Sequence, residues 1–378
     1  MDIGTEIMSA VSAVPDPLRG NHRRHRVNEM LFAAVVSVMC GFNSYRMFEA
    51  FVGLNLEWLR RHGCAFRNGV PDSNTFQYLF ARLDPGLLSA CLRSVAEGLR
   101  GRLPFEVVSF DGKAARRGAR RGGRAPFIVS AWADASGLVL GEVKVDEKSN
   151  EITAVPRLLD LLDVEGCIVT IDAMGCQKAL ARKIYADGKA HYVLALKDNN
   201  KTFHEEMLLL FEKELEAGCR SVKSETTVDK RHGRIERRTC YQTDCVEWFQ
   251  DRGEWAGLRS VIMVVAERTV RDAGTGEWRT SSEKRLYISS LPVDPGRALG
   301  AVRAHWGIEN RLHWTLDVTF GEDYCRARTL HAAENRASLL RIAVNLLNRY
   351  AKRHGCGTKF ARMMANQSPE ALEEMVAG

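Results

Sequence analysis

From Pro104 onward the apolar residues change their period, and this change limits the fold more than any other feature of the chain. Glu106 to Phe110, Phe127 to Ala133, Leu138 to Val145, Cys167 to Ile171 and Tyr192 to Leu196 are short apolar runs of strand length. Ala135-Ser136-Gly137 sits between the second and third runs and predicts a hairpin. Helical stretches near Ile152 to Leu162 and Gln177 to Ala186 separate the later runs, giving the order β-β-β-α-β-α-β. Strands that are apolar on both faces and alternate with helices belong at the centre of a sheet. The predicted class is therefore α/β.

The flanks read differently. Between residues 20 and 100 the apolar residues recur at helical spacing. Asn28 is a candidate cap for a first helix ending before Gly41, Ser44 precedes a second, Ser73 a third, and Leu87 to Leu99 form a fourth. After a helix near Phe203 to Ala217, the runs Thr226 to Asp229, Ile235 to Tyr241, Ser260 to Val270 and Lys284 to Ser289 predict an inserted antiparallel β region. Helices return at about Gly296 to Leu316, with a break expected near Gly307, and at Ala332 to Lys352.

Length and composition set the class. At roughly 150 residues per domain, 378 residues suggest about two domains. With 45% hydrophobic and 27% charged residues, global disorder is excluded. The longest apolar run, Leu31 to Phe42, falls short of the ~20 residues of a membrane span, and Met1 to Glu6 has no secretory character, so a cytoplasmic protein without membrane contact is expected. The ten cysteines lack zinc-knuckle spacing and read as reduced, mostly buried thiols. The net charge of +7 is a weak sign of an anionic partner, but its distribution says more. Lys113 to Arg124 holds six basic residues and no acid, and Arg326 to Arg362 holds nine and one acid, Glu334. Such clusters suit a phosphate backbone, although solvated helix faces look the same in sequence.

Two aspartates end two of the apolar runs, Asp111 in Ser-Phe-Asp-Gly-Lys and Asp172 in Thr-Ile-Asp-Ala-Met-Gly-Cys-Gln. On neighbouring parallel strands both would project at the carboxyl edge, where open α/β sheets place their sites. Like charges held close need a cation between them, and Mg²⁺ favours carboxylate oxygens. Each Asp taken alone reads more readily as a turn residue, and only the pair in this strand order favours the metal. Glu309 is a candidate third carboxylate: on one helix it shares a face with His313, Asp317 lies one turn further, and Arg303 precedes it by six residues. Trp306 and Trp314 nearby read as core. No Ser-His-Asp or Cys-His arrangement suggests a protein nucleophile.

Phe110-Asp111-Gly112-Lys113, Lys148-Ser149-Asn150-Glu151-Ile152, Val169 to Gln177, Leu194 to Lys197, His232 to Glu236 and His305-Trp306-Gly307-Ile308-Glu309-Asn310 occur in order along nearly the whole chain. Together they resemble the H-repeat-associated group of bacterial insertion-sequence transposases. The resemblance implies an RNase H-like mixed sheet flanked by helices, interrupted by the antiparallel β-rich insertion, with an all-helical N-terminal domain for DNA binding or assembly. The implied domains are 1–103, 104–220, 221–292 and 293–378. Asp111, Asp172 and Glu309 match the positions of a DDE triad that uses Mg²⁺ or Mn²⁺, expected as two ions. The wider group often carries further basic and aromatic residues at set intervals around the glutamate; here His305 stands four before it and Leu316 seven after.

The activity so implied is binding of terminal inverted repeats, metal-dependent strand cleavage and transfer of the 3′-hydroxyl to target DNA, by a dimer or larger assembly on double-stranded DNA. Two metals roughly 3.5–4 Å apart activate a water and hold the leaving oxygen. Lys113, Arg116, Arg117, Lys148, Asn150, Lys197, Asn199, Asn200, Arg303 and His313 are the expected DNA contacts. A DNA-binding relic without catalysis and a stand-alone metal-dependent nuclease are the alternatives.

Overall fold

The computed structural model describes residues 3–17, 24–101, 103–119, 125–145, 151–197, 200–231, 233–272 and 274–377. Lys148, Asn150, Asn199, His232 and the basic residues Arg120, Arg121 and Arg124 lie outside them.

Six helices open the chain: α1 (Ile3–Ser12), α2 (Val27–Met39), α3 (Tyr45–Leu54), α4 (Leu56–Arg61), α5 (Ser73–Arg82) and α6 (Pro85–Leu99). Then come β1 (Val107–Ala114), β2 (Phe127–Ala133), β3 (Leu138–Val145) and α7 (Glu151–Leu159). β4 (Ile168–Ile171), α8 (Lys178–Arg182), β5 (His191–Leu196) and α9 (Lys201–Glu216) follow. Four longer strands are β6 (Lys223–Arg231), β7 (Arg234–Thr243), β8 (Ser260–Arg271) and β9 (Trp278–Ser289). The last helices are α10 (Pro295–Gly307), α11 (Ala332–Arg353), α12 (Thr358–Gln367) and α13 (Pro369–Ala377). The mixed α/β class expected from the change of period is what forms. The chain divides into two compact units, Met1–Arg102 with Gly112–Leu162 and Ile308–Gly378, and Leu103–Asp111 with Asp163–Gly307.

The first unit is built on helices. Every residue of α2 except Asn28 is buried, so it runs through a core instead of lying on one. Asn28 is not its cap: the helix begins one residue earlier, after Arg26, and the Asn28 amide donates to Ser12 Oγ at 3.1 Å. Gly41, at φ +93°, ends α2 in the left-handed conformation that glycine adopts without steric cost. Ser44 does cap α3, accepting from the Met47 N–H, whereas Asp72, not Ser73, caps α5. Phe48 meets Phe76 edge-on at 5.5 Å between ring centroids. The same core takes in Trp132 and Val139 from the β2–β3 hairpin and Leu339, Leu340, Val344 and Leu347 from α11.

Polar side chains of α11 fix its register. Asn345 grips Val139 from both sides, accepting from its N–H at 2.7 Å and donating to its carbonyl at 2.9 Å. Asn335 donates to the carbonyls of Phe80 and Leu83. Arg341 is buried and pairs with Glu142 Oε2 at 2.7 Å and Glu322 Oε1 at 2.9 Å. Burial raises the Glu142 carboxyl above its ordinary range, and Arg341 opposes that shift.

The second unit is built on a sheet against which α10 packs. β1 pairs with β4 and β4 with β5, all parallel. β9 joins the free side of β5 antiparallel, Leu196 facing Leu286, and β8, β7 and β6 follow antiparallel in turn. The β-rich insertion is thus continuous with the parallel strands through β9. Ala298, Leu299, Ala301 and Val302 of α10 pack on Ile168, Val193, Ile262 and Tyr287. β9 starts six residues earlier than its apolar run, because its first seven residues are solvent-exposed and show no apolar pattern.

Removing the Arg341 charge strands Glu142 and Glu322 in the core. Arg341→Met should lower unfolding stability by roughly 3–5 kcal/mol, the cost of breaking a buried pair. Urea unfolding at pH 7 measures it, and adding Glu142→Gln should recover part of the loss.

Candidate catalytic and nucleic-acid-binding residues

The parallel register places the two aspartates. Val107 to Phe110 lie opposite Ile168 to Ile171 one for one, so Asp111 and Asp172 each stand one residue beyond the last pair. Adjacent strands run ~4.8 Å apart, which makes the two positions neighbours at the carboxyl edge. Asp111 does not end its strand as expected; β1 runs on to Ala114. Asp172 does leave its strand, and its Oδ1 accepts the Met174 N–H at 3.1 Å to cap a short 3-10 turn, Ala173–Gly175. Gly175 closes that turn where a Cβ would lie 2.2 Å from Ile171 Cγ2.

Two residues before each aspartate a hydroxyl points to the same face of the sheet. Thr170 Oγ1 donates to Ser109 Oγ at 2.9 Å and lies 3.0 Å from His305 Nδ1 on α10. Burial pulls the His305 pKa down to about 4, against the opposing pull of Asp172. This chain of polar groups links β1, β4 and α10 behind the carboxylates. Nothing in the sequence announced it, because Ser109 and Thr170 read as ordinary strand residues.

α10 changes winding at Ile308 instead of breaking. Ile308–His313 and Thr315–Thr319 are π-helical. Ile308, Leu312, Leu316 and Phe320 are buried at a spacing of four, while Asn310, Trp314 and Val318 are exposed at the same spacing. Glu309, His313 and Asp317 form the flank between them, Glu309 exposed and the other two partly buried. Burial, with Arg341 and Lys113 adding repulsion, brings the His313 pKa down to about 3. Such a ring is poorly placed to meet DNA as expected. Trp314 is 53% exposed and Trp306 carries the Arg285 guanidinium 4.6 Å from its ring centroid, so neither is the core residue that its size suggested.

Lys113 also differs from expectation. It is 9% exposed, and its Nζ sits 2.7 Å from Asp317, 3.1 Å from Asp323 and 3.5 Å from Glu322. A lysine enclosed by three carboxylates is already neutralised and is not presented to phosphate. Arg116 is exposed, at 3.4 Å from Asp323, and Arg117 lies 5.2 Å from the centre of the Tyr324 ring. Arg303 pairs with Asp229 at 2.8 Å. Lys197 is exposed, and Asn200 donates to the Cys176 carbonyl at 3.0 Å. Within the Arg326 to Arg362 cluster Arg336 and Arg341 are buried, while Arg326, Arg328, Lys352, Arg353 and Lys359 are exposed.

The donor chemistry of the Asp111–Asp172 edge fits a hard divalent cation, which prefers carboxylate oxygens. Glu309 belongs to the other unit. Among the described residues no group of three or more His, Cys, Asp or Glu side chains is assembled to hold a metal ion. No helix of the described residues is long and apolar enough to cross a membrane.

A family model described as "Transposase DDE domain" matches residues 100–346, and one described as "DDE_Tnp_1-associated" matches residues 8–96. The chain belongs to the DDE transposase family, in the company of H-repeat-associated members. It is 34% identical over 376 residues to "Putative transposase YncI" of Escherichia coli O157:H7, covering 98% of this chain and 94% of that one. It is 34% identical over 353 residues to "H repeat-associated putative transposase YhhI" of Escherichia coli K12, covering 90% of each. Among solved structures it resembles a piggyBac transposase synaptic complex with hairpin DNA at 11% identity and TM-score 0.43, over 99% of this chain and 78% of that one, a likeness too remote to carry detail across.

Two outcomes follow from this geometry. Gly175→Ala drives a methyl group into Ile171, so stability should fall by about 1–3 kcal/mol, the usual cost of overpacking, measured by thermal denaturation. The buried imidazoles set an acid limit. An unfolded histidine protonates near pH 6.5, whereas His305 does so near 4 and His313 near 3. Below pH ~6.5 the unfolded chain therefore binds more protons, and stability should fall as pH drops toward 4. Urea midpoints at pH 7 and pH 5 test this, and His313→Gln should shrink the difference.

Proposed function

We propose that this chain binds the terminal inverted repeats of an insertion sequence, cleaves the DNA strand in a metal-dependent reaction and joins the 3′-hydroxyl to target DNA. The observation that carries the reading is the register of β1 against β4, which makes Asp111 and Asp172 neighbours at one sheet edge within a chain of transposase family. In this reading the parallel strands β1, β4 and β5, with the β2–β3 hairpin following β1 in the chain, are the elements of an RNase H-like domain.

Asp111, Asp172 and Glu309 are proposed to hold Mg²⁺ or Mn²⁺, as two ions. When bound, such ions lower the pKa of the attacking water and offset charge on the leaving oxygen. The chain's own contribution is to fix the carboxylates. The Met174 N–H orients Asp172, and the Ser109–Thr170–His305 chain keeps the two strands in register. A neutral His305 leaves the carboxylates as the charged groups of that face.

Arg116, Arg117, Lys197 and Arg303 are the proposed phosphate contacts, joined by Asn200 and by Lys148, Asn150 and Asn199 of the segments outside the described residues. Phosphate contacts position DNA without reading its sequence. Lys113 is better assigned to holding Asp317, Glu322 and Asp323, and His313 to the interior. A dimer or larger assembly would hold the two ends of an element together.

The test is an assay with purified protein, Mg²⁺, labelled inverted-repeat ends and a plasmid target. Joined products are expected. Nicks without joining would indicate a nuclease, and a gel shift without chemistry a binding relic. Asp111→Asn should cut cleavage by on the order of a thousandfold, several kcal/mol of metal-assisted stabilisation, while DNA affinity stays within about twofold and still falls steeply with salt. Cleavage left intact in that variant would refute the carboxylate assignment.

A further inference from the structure

The first unit contains a pocket of unbalanced charge. It is a cavity of about 550 Å³, inside the roughly 300–1,000 Å³ range of small-molecule sites. Its wall is formed by the start of α3, the segment after Phe320 and the first turns of α11. Arg326, Arg328 and Arg336 line it, and no acidic side chain does.

Arg336 is the decisive residue. It is 6% exposed, and its Nε is buried without a hydrogen-bond partner. Among the described residues it forms no ion pair. Arg341, five residues along the same helix, is held by two carboxylates. The Tyr45 hydroxyl, also in the pocket wall, is likewise buried without a partner. Behind the wall, the Arg362 guanidinium lies 4.4 Å from the Phe320 ring centroid and donates to the Val38 and Thr319 carbonyls and to Asn43 Oδ1. These acceptors are neutral, so they leave its charge uncancelled. Two helices, α3 and α11, start at the pocket and add the partial positive charge of their N-termini.

An uncompensated buried guanidinium is costly, and an anion entering the pocket would remove that cost. A bare anion would use little of the volume. The rim offers a flat apolar surface as well: Tyr324 is 70% exposed, with Arg117 5.2 Å from its ring centroid, and Met47 is exposed nearby. Nucleobases stack on such aromatic faces. We propose that this pocket binds a phosphorylated nucleotide unit, with the phosphate on Arg336 and the Tyr45 hydroxyl and the base on Tyr324. A free nucleotide and an unpaired nucleotide of a DNA strand present the same chemistry. The site uses none of the metal-holding carboxylates and needs no metal.

Isothermal titration of the full chain in excess EDTA, with deoxyadenosine monophosphate, deoxyadenosine and inorganic phosphate, tests this. The mononucleotide should bind about tenfold or more tightly than either fragment, and Arg336→Gln should lose about tenfold or more, as for a hydrogen bond to a charged group. A mononucleotide no tighter than phosphate, or undiminished affinity in Arg336→Gln, overturns the proposal. Should Arg336→Gln fail to fold by circular dichroism, the Tyr45→Phe/Arg328→Ala double variant replaces it, and wild-type affinity there overturns the proposal equally. Competition by a single-stranded oligonucleotide assigns the site to strand nucleotides, and its absence to free nucleotides; either outcome upholds the pocket. Asp111→Asn should bind the mononucleotide normally, so failure here is separable from failure of the catalytic reading.

Discussion

Like charges on adjacent strands repel, and the second unit is organised around one such pair. Asp111 and Asp172 are neighbours because Phe110 and Ile171 pair in a parallel register. That register is not secured by backbone bonding alone. Ser109, Thr170 and His305 form a line of hydrogen bonds on the same face, two residues before each carboxylate. A one-residue slip of one strand would put the two aspartates on opposite faces and separate these hydroxyls. Register, carboxylate placement and the seating of α10 are therefore one constraint. Burial keeps His305 neutral well below pH 7, so the line does not add a charge beside the aspartates.

The first unit treats its buried cations in contrasting ways. Arg341 has two carboxylates and Lys113 has three. Both are satisfied within the fold, and both tie α11 or β1 to the segment after the π-helical stretch. Arg336 has none, and Arg362 has only neutral acceptors. A protein that pairs two buried cations so fully has no general shortage of acids. The imbalance around Arg336 is local, and it coincides with a cavity and two helix N-termini.

Periodicity made the strands legible. β2 and β3 begin and end where the apolar runs do, because both faces of each are largely covered. The aspartate pair was legible for the same reason, since each follows a run that only a central strand explains. Legibility failed where side chains answer to distant partners. Lys113 looked like a surface base because its three carboxylates lie some 200 residues away in sequence. Trp314 looked like core because size suggests burial, yet it falls on the outer stripe of its helix. The first half of β9 carries no apolar pattern, so only pairing with β8 reveals it as a strand. α1, α12 and α13 lie outside the helical stripes expected from the sequence, although Ile7 and Val11 of α1 are buried.

The winding after Gly307 shows how a sequence period can hold more than it first yields. Ile308, Leu312, Leu316 and Phe320 repeat every four residues. At 3.6 residues per turn, each step of four advances about 40° around an α-helix, so this stripe would rotate by about 120° from first to last and leave the core. The π-helical bonding of i to i+5 widens the turn and holds all four against the interior. Glu309, His313 and Asp317 follow the same four-residue repeat and form one flank of the segment. Burial deepens along that flank, from exposed Glu309 to Asp317 in the grip of Lys113. The acidic end of this segment is thereby fixed inside the fold while Glu309 is left at the surface, where a carboxylate must be if it is to meet a ligand from solvent.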